Sequence, residues 1–131
     1  MGKLIVTILG CRELPNMDTF GKTDPYVKVH IGSKKFQTKT IKNNLNPNFN
    51  ESFTFFVADP TRDVIGFTVM DSDTFSDDEI GNAQVRLNSL VKQKKNEQWL
   101  PIASKDGSRA GELGVVMMAE DFGVTPQPTA T

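Results

Sequence analysis

Apolar residues recur at every second position through much of this chain. Val27, Val29 and Ile31 fall on one side of an extended segment, with Lys28 and His30 on the other. Phe53, Phe55 and Val57 repeat the pattern, as do Leu113, Val115 and Met117. A period of two marks a strand with one buried face. Such runs predict strands near residues 3–9, 26–31, 35–41, 52–57, 64–70, 83–87, 98–102 and 112–119, punctuated by Gly, Pro, Asn and Asp. The first run is apolar on both sides, which suits a central strand. Residues 87–92 offer one helical turn before a Lys-rich loop. Eight short strands without a long helix predict an all-β, eight-stranded antiparallel β-sandwich.

Composition narrows this picture. The 131 residues, 37% of them hydrophobic, suffice for one compact core. Residues 1–122 are expected to form a single domain and 123–131 a flexible Pro/Thr-rich tail. Lys and Arg number 15 against 16 Asp and Glu, a net charge of -1. No overall basic footprint exists for nucleic acid to bind. The single cysteine, Cys11, precludes an intrachain disulfide. The opening apolar run is too short for a secretory signal, and no stretch has the length of a membrane span. Val6 breaks the myristoylation pattern that Gly2 would begin. The expectation is a reducing, cytoplasmic setting and a monomer.

The near-neutral total hides two local fields. Acids gather in residues 17–26 and 70–81, and Lys34, Lys35, Lys39 and Lys42 lie between them. Both acidic stretches follow one strand-like run and precede another, so both are loops. Asp18 and Asp24 bracket a loop whose Gly21 lets the chain fold back. Asp71 and Asp73 face one way if extended geometry persists, with the Ser72 carbonyl as a further oxygen. Asp77, Asp78 and Glu79 return acids to the same neighbourhood. Convergent carboxylates repel. A hard cation relieves that repulsion, and calcium takes such oxygens.

The pattern is not an EF-hand. Phe75 and Ser76 stand where that loop needs an oxygen ligand and Gly, and no amphipathic helices flank it. Nor does the chain read as an enzyme. His30 is the only histidine and falls mid-strand, Cys11 has no base beside it, and no phosphate loop is present. Residues 45–53 read as an Asn-supported turn with Phe49 tucked into the sandwich edge; an Asn oxygen as a third wall of the metal site is the weaker reading.

Three ordered motifs carry a family resemblance. Leu14-Pro15…Asp18…Gly21…Asp24-Pro25-Tyr26-Val27-Lys28-Val29 resembles the opening of a C2 domain, the calcium-dependent phospholipid-binding module of protein kinase C and synaptotagmin. Asn46-Pro47-Asn48-Phe49-Asn50-Glu51-Ser52-Phe53 is similar to its second signature, and Asp71-Ser72-Asp73-Thr74-Phe75-Ser76…Ile80-Gly81 to its third. The resemblance implies a Greek-key sandwich with calcium-binding loops at one end. A chain that opens with the strand before the first acidic loop resembles the circularly permuted, phospholipase-type (type II) topology.

By position, the resemblance implies calcium ligands at Asp18, Asp24, Asp71 and Asp73, with backbone carbonyls at Met17 and Ser72. The stretch from Asp73 to Gly81 is one residue shorter than usual in that family. The last carboxylate therefore falls among Asp77, Asp78 and Glu79: counting back from Gly81 gives Asp78, and counting forward from Asp71 gives Glu79. Phe20 and Phe75 lie near their loop tips, where they either enter a lipid interface or fold back on the sandwich. The family analogy makes Lys34, Lys35, Lys39 and Lys42 a second site for phosphatidylserine or a phosphoinositide. The function implied is calcium-dependent, reversible docking on anionic phospholipid membranes, with recruitment from the cytoplasm as calcium rises. The competing reading is a protein–protein interaction module on the same fold, calcium-independent or calcium-modulated.

Overall fold

The computed structural model describes residues 2–17 and 22–125 of the chain. Among them run β1 (Gly2–Arg12), β2 (Pro25–Ile31), β3 (Lys34–Gln37), β4 (Asn48–Val57), β5 (Val64–Asp71), β6 (Asp78–Arg86), a 3-10 turn (Leu87–Ser89), β7 (Lys95–Ala103) and β8 (Arg109–Ala119). Every named pair is antiparallel, in the order β3-β2-β5-β6-β7-β8-β1-β4. The ladder nearly breaks between β6 and β7, where Asn82 and Ala103 alone pair. That seam divides the strands into two layers, β3-β2-β5-β6 and β7-β8-β1-β4. Gly81 permits the seam, since a Cβ there would meet the Ala103 carbonyl oxygen at 2.6 Å.

The inner faces follow the period of two. Val27 and Val29 of β2, with Ile65, Phe67 and Val69 of β5, are wholly buried. Leu4, Val6 and Ile8 of β1 and Leu113, Val115 and Met117 of β8 belong to the same core. Each such side chain contributes roughly 1.5–3 kcal/mol through burial. Phe49 joins them, as the turn reading required.

Several boundaries differ from expectation. β3 stops at Gln37 rather than reaching residue 41. At Thr38 the hydroxyl takes the place of the carbonyl: Oγ1 accepts the Val27 N–H at 2.9 Å and donates to the Lys39 carbonyl at 3.0 Å, while the Thr38 N–H still donates to the Val27 carbonyl. Conversely, β4, β6, β7 and β8 begin earlier than predicted, through polar residues with low strand preference. Their partners supply the ladder, which outweighs local propensity.

Register sets the loops. Arg12 pairs with Glu112, Pro25 with Asp71, and Asp71 with Asp78. The β1–β2, β5–β6 and β7–β8 connections therefore emerge at one end. The β3–β4 connection joins them, because Gly10 pairs with Asn48 and the Cys11 N–H donates to the Pro47 carbonyl. No described helix is long and apolar enough to cross a membrane. Within the segment expected as a tail, Val124 exchanges backbone hydrogen bonds with Leu90 and Lys92, and residues 126–131 lie outside the described part.

Candidate functional site

The β1–β2 and β5–β6 loops are stitched together at Asp24. Its N–H donates to Asp71 Oδ1 at 2.9 Å, and its carbonyl accepts the Ser72 N–H at 2.9 Å. Asp24 Oδ1 in turn accepts the Asn43 N–H from the β3–β4 loop, at 2.8 Å. Thr23, fully buried, braces the first loop: its hydroxyl donates to the Pro15 carbonyl and accepts the Met17 N–H. Three segments far apart in the chain thus converge on two carboxylates.

Asp71 is wholly buried, at 0% exposure. Asp78 pairs directly with it, and directly paired residues share a face of the sheet. Glu79 pairs instead with Met70, on the opposite face, where it lines a different cavity. Asp73 is exposed; its N–H donates to Asp77 Oδ1 at 2.9 Å, and its own Oδ1 accepts the Thr74 N–H. The second oxygen of Asp77 accepts the Tyr26 hydroxyl. That bond, helped by the Asp73 N–H, holds the Asp77 carboxyl below its usual range.

Asp18 and Phe20 lie outside the described residues. Among the described residues, no three His, Cys, Asp or Glu side chains gather closely enough to hold a metal ion. Register brings Asp24, Asp71 and Asp78 to the same end of the sheet without closing a site, and all three carry hard carboxylate oxygens. That donor chemistry suits calcium and not the softer metals that prefer thiolate or imidazole. Phe75 stands 98% exposed, whereas Met17 is half covered beside the first loop.

The lysines separate. Lys34 turns to the edge of the other layer, where Nζ donates to the Phe56 carbonyl at 3.3 Å. The Lys39 N–H donates to Glu51 Oε2, and both Lys39 and Lys42 sit in the β3–β4 connection, beyond the end of β3. Lys35 alone of the four lines the outer face of the β3-β2-β5-β6 layer, in an open cavity of about 710 Å³ with Lys28, His30, Gln37, Thr68 and Glu79. Alternation along β2 had put Lys28 and His30 on one face; only the β2–β3 pairing of His30 with Lys35 and Lys28 with Gln37 joins them to it. His30 packs over Gly66, where a Cβ would run into its ring. Phe36, paired with the inward-facing Val29, stacks on Phe53 at 5.2 Å yet stays 40% exposed at the sheet edge. Cys11 is buried, which pushes its thiol up to about 12.

Asn46 serves the turn: its Oδ1 accepts the Glu13 N–H at 2.8 Å. The contributions of Tyr26, Thr23 and Asn43 were not read from the sequence. A tyrosine opening a strand and a threonine in a turn carry no signal until their partners are known.

A β-sandwich with acidic loops gathered at one end defines a class, and the comparisons agree. The family model for the C2 domain matches residues 2–102, and the chain belongs to that family. It is of the synaptotagmin type. It is 43% identical to synaptotagmin-1 of Aplysia californica over 98% of this chain, and 34% identical to synaptotagmin-5 of Arabidopsis thaliana over 86%. It spans only 31% and 20% of those two proteins. Among solved structures, a C2 domain of a plant extended synaptotagmin 1 superposes with a TM-score of 0.86 at 26% identity, covering 92% of this chain and 95% of that one. Human GIVD cytosolic phospholipase A2 superposes with a TM-score of 0.79 at 25% identity, covering 92% of this chain and 17% of that one.

Proposed function

We propose that this chain is a calcium-gated module that docks its loop end on anionic phospholipid membranes. The observation that carries this reading is the register that brings Asp24, Asp71 and Asp78 to one loop end, which also bears the exposed Phe75. Asp18 and Asp73 complete the proposed ligand set, with the carbonyls of Met17 and Ser72. The pairing of Asp78 with Asp71 favours Asp78 over Glu79 as the last ligand. Bound calcium would supply positive charge and coordination positions that lipid phosphate or carboxylate oxygens fill. Without it, the carboxylates hold the loop end negative and repel anionic headgroups.

Phe75 would then enter the interface. Lys35 with Lys28, rather than with Lys34, Lys39 and Lys42, would form the accessory basic face toward phosphatidylserine or a phosphoinositide. The strand order supports the permuted connectivity. Recruitment is peripheral and reversible. Co-sedimentation with phosphatidylserine vesicles tests the reading: binding should appear with calcium and vanish with chelator. Sedimentation indifferent to chelator refutes it.

A further inference from the structure

We infer that Tyr26 is a positioning residue for the calcium end, acting through Asp77 to hold the β5–β6 loop in the shape that presents Asp73. The inference rests on the calcium reading above and assigns Asp77 to that linkage rather than to the ligand set. Tyr26 is the second residue of β2, a strand paired on both sides, with β3 and β5. It pairs with Met70 and is only 5% exposed, so its ring has a fixed direction. The hydroxyl donates to Asp77 Oδ2, and Asp77 Oδ1 accepts the Asp73 N–H at 2.9 Å. One carboxylate therefore bridges a rigid strand and the backbone of the residue proposed as a ligand. The Ser72 N–H bond to the Asp24 carbonyl ties the loop at its first residue, and the Tyr26 bond ties it at its last.

Both oxygens of Asp77 are thereby engaged by protein donors, whereas Asp78 takes the register position opposite Asp71. A loop held in its binding shape spares the cost of ordering on binding.

The test uses the full chain and calcium alone, without lipid. Tyr26→Phe keeps the ring and removes the donor; Asp77→Ala removes the bridge. Each should weaken calcium binding about three- to tenfold by calorimetry, the worth of one lost hydrogen bond. The double variant should bind no more weakly than either single one, because both break the same linkage. The Asp73 amide resonance of the calcium-free protein should move in Tyr26→Phe, a signature that a general loss of stability would not give. Melting in chelator shows that each variant is folded. If the wild type binds calcium and Tyr26→Phe binds it equally well, or if the two losses add, the inference falls while the calcium reading stands. If the wild type itself takes up no calcium, the reading falls and the inference with it.

Discussion

Phe75 at the tip of the β5–β6 loop is 98% exposed, so Phe75→Ala removes a ring without removing a packing contact. Stability should change by less than about 0.5 kcal/mol, as for surface substitutions generally. Membrane affinity should change far more. Moving a phenyl side chain from water into an apolar environment gains about 1.5–3 kcal/mol. Losing that gain corresponds to about a 10- to 150-fold weaker vesicle affinity, and shallow insertion falls at the lower end. The assay is a titration of the full chain with phosphatidylserine vesicles at saturating calcium, paired with calorimetry in calcium without lipid. The expected result is weakened vesicle binding, unchanged calcium binding and an unchanged melting midpoint. Phe75→Trp adds a direct readout, a blue-shifted emission on vesicles over the background of Trp99. Vesicle affinity equal to wild type would remove Phe75 from the membrane contact, and a lowered midpoint would mean that the ring packs on the protein after all.

Further outcomes follow from the same geometry. Asp106 accepts the Ser104 and Ser108 hydroxyls and the Ser108 N–H, which lower its carboxyl from 3.8 to about 2. A depressed carboxyl stabilises the fold above its unfolded value and loses that contribution as pH falls through the folded one. The melting advantage of wild type over Asp106→Asn should therefore be full above about pH 4 and gone near pH 2; a gap that persists at the acid end refutes it. Phe55, 1% exposed in the core, should cost about 3–5 kcal/mol on truncation to Ala, lowering the melting midpoint by about 10–20 °C; a fall of a degree or two would contradict the packing. Thr23→Val strips the bonds to Pro15 and Met17 and should cost about 1–3 kcal/mol by chemical denaturation, with no loss if the hydroxyl is dispensable. Neutralising Lys28 and Lys35 together should weaken binding to phosphoinositide vesicles by about 10- to 30-fold, at ~1 kcal/mol per charge; Lys34→Ala matching that loss would count against a single basic face.

The strands and their buried faces were legible in the chain because a period of two is a local property. Val27, Val29 and Ile31 declare an inner face whatever lies beside them. The acidic loops and the three family motifs were equally visible, since they are contiguous. Neighbours were not. Asp24 and Asp71 meet across 47 residues of chain, and nothing local says that β2 pairs with β5. The β5–β6 pairing chose Asp78 over Glu79 as the residue opposite Asp71, through a bulge between Val69 and Met70 that shifts register by one. The β2–β3 pairing joined Lys28 to Lys35, and the early end of β3 left Lys39 off that face. Tyr26 looked like an ordinary strand opener until the fold carried Asp77 to its hydroxyl. Alternation along a strand tells which way a side chain points, but what it meets there is decided by long-range pairing, and that energy is available only once the sheet has formed.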